Sequence, residues 1–178
     1  MLDAIDVKIL SILQKFGRRH LAEIAKEVEL SPPAVMERVK KLESRHIIRG
    51  YHAFLDAKKI GRDITAFIGV SINHQRYIDD FSSCMAAQED VLECHLVTGD
   101  ESFILKVKTR STLSLERLLA EIRSMEGVTA TITKVVLSTC KEGHVLGFGT
   151  ELSKTTAGDK EVQNSDAGKE ITSGMRNR

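Results

Sequence analysis

The sequence predicts an α+β protein in two parts, a helical stretch to about residue 50 and a βαββαβ domain that begins at residue 64. Three observations carry that reading. Both prolines of the 178-residue chain, Pro32 and Pro33, stand side by side at the head of a run with helical periodicity. ITAFIGVSI, residues 64 to 72, alternates strictly, with Ile64, Ala66, Ile68, Val70 and Ile72 on one face and Thr65, Phe67, Gly69 and Ser71 on the other. From residue 64 to 138 the apolar period then switches in the order strand, helix, strand, strand, helix, strand.

The first fifty residues read as three helices. Asp3 is placed to cap a helix in which Ile5, Ile9, Ile12, Leu13 and Phe16 recur at helical spacing, with Gly17 at its end. A short helix, LAEIAKEV, sets Leu21, Ile24, Ala25 and Val28 on one side. After the break Glu29-Leu30-Ser31 a third helix begins. Proline lacks an N–H and has a fixed φ, so it suits the first helical position. Ser31, before a proline, is pushed out of α geometry into the conformation of an N-cap, where its hydroxyl can accept from the Ala34 N–H. Along this helix Val35, Val39 and Leu42 form an apolar stripe that packs, and Ala34, Arg38, Lys41 and Arg45 form a second stripe expected to face out. Two short helices joined by a tight turn behind a supporting helix make a helix-turn-helix, whose second member enters the DNA major groove.

Residues 47 to 61, IIRGYHAFLDAKKIG, read as two short strands turning near Asp56, a wing or connecting hairpin. The next domain continues with a helix carrying Ile78, Phe81 and Met85, a strand VLECHLV, a loop from Thr98 to Ser102 and a strand FILKVKT. A helix with Leu115, Leu118, Leu119 and Ile122 follows, and VTATITKVVLS closes the set. Two β-α-β halves in tandem describe a ferredoxin-like sandwich, four antiparallel strands backed by two helices. The domain boundaries expected are therefore 1–50, a hairpin linker over 51–63, 64–140, and a polar, aperiodic tail over 150–178 read as disordered. The helix-free sheet face, expected to carry Thr129, Thr131 and Thr133, needs a cover, and a second subunit is the obvious one.

Composition narrows function. Residues 1 to 50 hold ten Lys or Arg against seven Asp or Glu, while residues 51 to 140 hold ten against twelve, so the net charge of +1 hides a basic N-terminal third. Basicity confined to one segment fits nucleic-acid contact. No run of about 18 apolar residues suggests a membrane span and no leader pattern is present, so a cytoplasmic protein is expected. Cys84, Cys94 and Cys140 are scattered, without C-x-x-C spacing, and read as small apolar residues in a reducing compartment. The six histidines show no ligand spacing, so neither metal nor cofactor is expected.

The contact set expected on DNA is Ser31, Pro32, Ala34, Glu37, Arg38, Lys41 and Arg45. Ser31 and Ala34 lie nearest the bases because the start of such a helix goes deepest, and the cations reach phosphates or guanine edges. In the second domain Gly99 lets the backbone approach a ligand and Asp100 can take an ammonium group, with Glu101 and Ser102 completing a candidate effector loop. A bland alternative is that Gly99-Asp100 only turns a hairpin.

LSPPAVMERVKKLE and VTGDESFILKV, in this architecture, make residues 2 to 140 strongly resemble the Lrp/AsnC (feast/famine) transcription regulators. Ser31-Pro32, Val35, Arg38-Val39, Leu42-Glu43, Ile48 and Gly50-Tyr51 fall where that family has its signature. The resemblance implies a sequence-specific regulator and not an enzyme. It also implies a homodimer that gathers into tetramers or octamers, and an amino acid or related metabolite bound near the loop between the middle strands. The family's loop commonly runs Gly-Asp-aromatic-Asp-aromatic. Here Glu101, Ser102 and Phe103 follow Gly99-Asp100, which removes one acceptor for an effector's ammonium. Sirohaem decarboxylases resemble the same architecture, and a tetrapyrrole enzyme would need clustered His46, Arg49, His52 and His95. A third reading gives the helical module only protein contacts.

Overall fold

A computed structural model of the chain describes residues 2–149, and the tail reading over 150–178 lies outside them. The described residues divide into two units, one formed by residues 2–53 with residues 143–149, the other by Phe54–Glu142.

In the first unit, α1 (Ala4–Lys15), α2 (Leu21–Val28) and α3 (Pro32–Ser44) surround one core of Ile9, Leu10, Ile12, Ile24, Ala25, Val28, Val35, Val39 and Leu42. Asp3 caps α1 through a reciprocal box in which its carboxylate accepts from the Asp6 N–H at 2.8 Å and the Asp6 carboxylate accepts from the Asp3 N–H at 3.3 Å. The α1 helix stops one residue sooner than Gly17, at a C-cap on Phe16. Glu29 adopts a left-handed conformation, φ 57°, and so turns the chain sharply between α2 and α3. Ser31 caps α3 as its position before a proline requires, accepting from the Ala34 N–H at 3.4 Å.

Residues 143–149, which carry no apolar period, return to this helical unit. The Gln14 side chain takes the main chain of Leu146 in both directions, accepting from its N–H at 2.7 Å and donating to its carbonyl at 3.2 Å. Phe148 packs against the three-helix core. Between them, Leu10, Leu13, Ile47, Tyr51 and Phe148 line a cleft of about 250 Å³.

The expected hairpin over 47–61 does not form: none of its residues is in a strand. Asp56, taken from sequence as the turn, instead accepts through Oδ1 from the N–H groups of Lys58 and Lys59, at 3.1 and 3.4 Å, and nucleates a 3-10 turn over Lys58–Ile60. An Asp ahead of the turn and Gly61 in the left-handed region after it are helical start and stop signals, and they override the weak alternation of the flanks. The linker is therefore extended chain plus one tight turn, without a wing.

The second unit holds β1 (Ile64–Ile72), α4 (Ile78–Ala87), β2 (Val91–Leu96), β3 (Phe103–Thr109), α5 (Thr112–Ser124) and β4 (Val128–Val135). All pairings are antiparallel, in the order β2-β3-β1-β4, which is the ferredoxin-like arrangement. Ala66, Ile68 and Val70 of β1 and Phe103, Leu105 and Val107 of β3 meet Phe81 and Met85 of α4 and Leu115, Leu118 and Ile122 of α5 in the core.

Register corrects one expectation about the sheet. Directly paired residues of antiparallel strands share a face, and Thr131 and Thr133 pair with the buried Val70 and Ile68. They lie on the helix side, where the Arg123 Nε of α5 donates to Thr131 Oγ1 at 2.8 Å. The open face is made instead by Phe67, Gly69 and Ser71 on β1, Ala130, Ile132 and Lys134 on β4, and Ile104, Lys106 and Lys108 on β3. Near one end Glu142 folds back to the β3 lysines, 3.0 Å from Lys106 and 3.1 Å from Lys108, and the two ammonium groups hold its carboxyl below its ordinary range.

Truncating Phe148 to alanine is expected to lower the stability of the helical unit by about 1–2 kcal/mol, roughly half the value of a fully buried aromatic side chain. Hydrogen exchange of the α1 amides in the full chain measures it. Unchanged protection would mean that the segment contributes nothing to the helical core.

Candidate functional site

The rotation of α3 about its axis decides which side chains can meet a ligand. Val35, Val39 and Leu42 are buried. At 100° per residue the direction opposite them is occupied by Pro33, Glu37, Lys40 and Ser44, all exposed, while Met36, also exposed, lies about 90° from the stripe on one flank. The stripe chosen from sequence lies on the flank of this face. Of the expected residues Ser31, Pro32, Glu37, Lys41 and Arg45 are exposed, whereas Ala34 and Arg38 are half-buried. Pro33 and Lys40 lie on the outward face but outside the expected set, and the helical wheel places them there, since the outward face is the one centred opposite the packed stripe and not the most basic one.

Arg38 is the substantive correction. Its Nη1 donates to Asp3 Oδ2 at 2.6 Å and to Asp6 Oδ1 at 2.8 Å, so the guanidinium joins the N-terminal box of α1 to the middle of α3. The two carboxylates raise the guanidinium pKa, first through these hydrogen bonds. For Asp3, burial alone would raise the carboxyl, but the Asp6 N–H and the Arg38 guanidinium outweigh it and hold it below the usual carboxylate range. Arg38 is expected on DNA as a cation beside the apolar stripe; its position on the flank turns its Nη1 to α1, where it ties α3 to the supporting helix.

Lys40, Lys41 and Arg45 are exposed and enter no ion pair among the described residues. Behind them the Tyr51 hydroxyl donates to Glu43 at 3.0 Å and ties the chain leaving α3 back onto it. Burial, then the Glu43 carboxylate, pushes the Tyr51 phenol up to about 12. The resulting surface is a helix start held by a cap and two prolines, with cations in its second half and no competing carboxylate but Glu37.

In the other unit, residues 97–102 connect β2 to β3, and the Val97 N–H donates to the Ser102 carbonyl at 3.0 Å. The loop leans on β1: Ser71 Oγ donates to the Asp100 carbonyl at 3.2 Å, Ser102 donates its N–H to Val70 at 2.8 Å, and Ser102 Oγ accepts from the Ile72 N–H at 3.0 Å. Ser102 is thus a structural anchor as well as a candidate effector contact. Gly99 sits at φ 126°, a conformation that side chains avoid, and nothing lies within 4 Å of where its Cβ would be. Asp100 is exposed, and Glu101 lies across Gly69, where any Cβ would come within 2.8 Å of the Glu101 Cγ.

The four residues weighed for a tetrapyrrole divide between the two units. His46, Arg49 and His52 are exposed in the helical unit. His95 belongs to the other unit, on β2, 3.4 Å from Glu93. Among the described residues no group of three or more His, Cys, Asp or Glu is arranged to hold a metal, and no helix is long and apolar enough to cross a membrane. All three cysteines are free; Cys94 is half-buried, and burial pushes its thiol up, while Cys84 and Cys140 are exposed.

A helix-turn-helix with a free, cationic second helix joined to a βαββαβ sensing domain defines a ligand-responsive transcription regulator. Residues 2–43 match the family model of the AsnC-type helix-turn-helix domain, and residues 65–146 that of the Lrp/AsnC ligand binding domain. The chain belongs to the Lrp/AsnC family. It is 34% identical over 148 residues to the leucine-responsive regulatory protein of Escherichia coli K12, covering 82% of this chain and 90% of that one. It is 35% identical over 141 residues to the HTH-type transcriptional regulator FL11 of Pyrococcus abyssi, covering 79% and 93%. Among solved structures, a transcriptional regulator of Neisseria meningitidis in complex with L-Met superposes with a TM-score of 0.81 at 30% identity, over 85% of this chain and all of that one. The Escherichia coli AsnC structure gives 0.76 at 27%, over 82% and 98%.

Arg38→Ala is expected to cost about 1–2 kcal/mol of stability, as for loss of a charge-assisted, part-buried hydrogen-bond pair. The carboxyl of Asp3 is depressed in the folded state, so its contribution is present above the unfolded value of about 3.9 and is lost as pH falls through the lower folded value. Thermal melts of wild type should therefore show a fall in stability below about pH 4 that is flatter in Arg38→Ala. A variant with wild-type melts at every pH but weakened DNA binding would return Arg38 to the DNA surface.

Proposed function

We propose that the protein binds duplex DNA sequence-specifically through the exposed face of α3 and regulates transcription in response to an amino acid or a closely related metabolite. The observation that carries it is the exposed surface of α3: it lies away from a buried stripe, starts at a fixed residue, and offers Lys40, Lys41 and Arg45, which enter no ion pair among the described residues. Ser31, Pro32 and Glu37 sit at or near the end that enters deepest, with Ala34 beside them, and the three cations serve the phosphates.

The protein works as a homodimer in this reading, its copies joined by the open sheet faces. Phe67, Ile104 and Ile132 are 40%, 38% and 52% exposed there, a concentration of apolar surface that a second copy would cover. Two-fold symmetry then gives a pseudo-palindromic site with half-sites about 10 bp, or a multiple, apart. Assembly of dimers into tetramers or octamers belongs to the same proposal, as does a cytoplasmic location. The effector loop is Gly99, Asp100, Glu101 and Ser102, with Asp100 free to meet an ammonium group. The L-Met complex of the Neisseria relative supports an amino acid as the ligand class.

Retardation of DNA fragments from the neighbouring genes tests the function, at low salt where phosphate contacts are strongest; no retarded fragment would leave the helical module to protein contacts alone. Removing one phosphate-contacting cation, as in Lys41→Ala, should weaken binding nearly uniformly across sequences and reduce the slope of log K against log salt by about 1. For the effector, a panel of amino acids should raise the melting temperature with at least one member, and Asp100→Ala should abolish that rise. A shift that survives in Asp100→Ala would move the ammonium contact elsewhere.

A further inference from the structure

The exposed surface of α3 is not uniformly polar. Met36 is 43% exposed in its second turn, and Pro33, one turn earlier on the same side, is exposed as well. Met36 belongs neither to the packed core of the unit nor to the helix start that the prolines fix, so neither packing nor capping accounts for it. Lys40 follows Met36 by four residues on the same face, a turn further from the helix start.

Resting on the DNA-binding reading above, we propose that Met36, with Pro33 beside it, reads the C5 methyl group of a thymine in the major groove. The helix start is the part that lies deepest, so these two side chains meet base edges while the cations behind them meet phosphates. Among the groups that base pairs display in the major groove the thymine methyl is the apolar one. An apolar side chain at that depth gains from covering a methyl and loses by covering an amide or carbonyl edge, which it would desolvate without pairing. Methionine suits the task because its unbranched, polarisable thioether adapts to a methyl whose position shifts with local groove width. The contact supplies base discrimination at a position that Lys40, Lys41 and Arg45 cannot discriminate through phosphates.

The test uses the full chain and DNA selected by it from a random duplex library. In the selected site each thymine is replaced singly by deoxyuridine, which removes the methyl and keeps every hydrogen-bonding edge. Wild-type protein is expected to lose about fourfold in affinity at one position per half-site, the worth of one buried methyl. Met36→Ala should bind the thymine site more weakly than wild type and be indifferent to that replacement. Equal affinity for thymine and deoxyuridine at every position overturns the inference while leaving DNA binding intact. A loss at deoxyuridine that persists unchanged in Met36→Ala shows that another side chain reads the methyl, and also overturns it. If no duplex is selected from the library, the DNA-binding reading itself fails and takes this one with it.

Discussion

The constraint on which the DNA-binding half depends is the rotation of α3 about its own axis. A helix this short presents one face to a groove, and a turn of about 100° would replace one set of contacts by the next. Three features fix the angle independently. Val35, Val39 and Leu42 fill the core, Ser31 and the two prolines fix the first residue, and Arg38 is held from the side by Asp3 and Asp6 of the supporting helix. The last of these makes the capping box of α1 part of the recognition surface's support: the carboxylates that satisfy the first N–H groups of one helix also set the angle of another.

Much of this was legible in the sequence, and the failures have physical causes. The helices and strands were readable because each carries an unbroken apolar period, and the caps because Asp3 and Ser31 stand where unpaired N–H groups need acceptors. The inward pairing of Arg38 was not legible because charge alone does not say which way a long side chain turns. Its acceptors lie 32 and 35 residues away, a separation that no local pattern reports. The linker was misread for the opposite reason: its alternation was local and real, but β-pairing needs a neighbouring strand, and Asp56 with Gly61 closes a helical turn without one. Thr131 and Thr133 were put on the wrong face because alternation gives two faces without naming which one meets the helices; register against Val70 and Ile68 names it.

The segment over residues 143–149 was invisible for a further reason. It has no period, and its attachment depends on Gln14, whose side-chain amide presents both a donor and an acceptor to the main chain of Leu146. A glutamine on the flank of an amphipathic helix reads as solvated surface. Only the presence of an extended chain at the right distance turns it into a strand-like partner, so the information sits in the pair and not in either residue.

In the sensing domain the loop and the open face meet on one strand. β1 supplies Ser71, Val70 and Ile72 as anchors for residues 100 and 102, and its Gly69 admits the Glu101 side chain across the open face between Ile104 and Ile132. A ligand that draws Asp100 or Glu101 toward itself would therefore act on the same strand that a second copy would cover. By linkage, whatever factor the ligand applies to association, association must apply to ligand binding. Substituting Glu101 for the family's aromatic at this point keeps a flexible, charged group over Gly69 where a flat apolar one would otherwise lie. The carboxylate must then remain solvated or find a cation when the face is covered, since burying it unpaired is costly. The loop's departure from the family pattern thus falls where the loop meets the open face of β1.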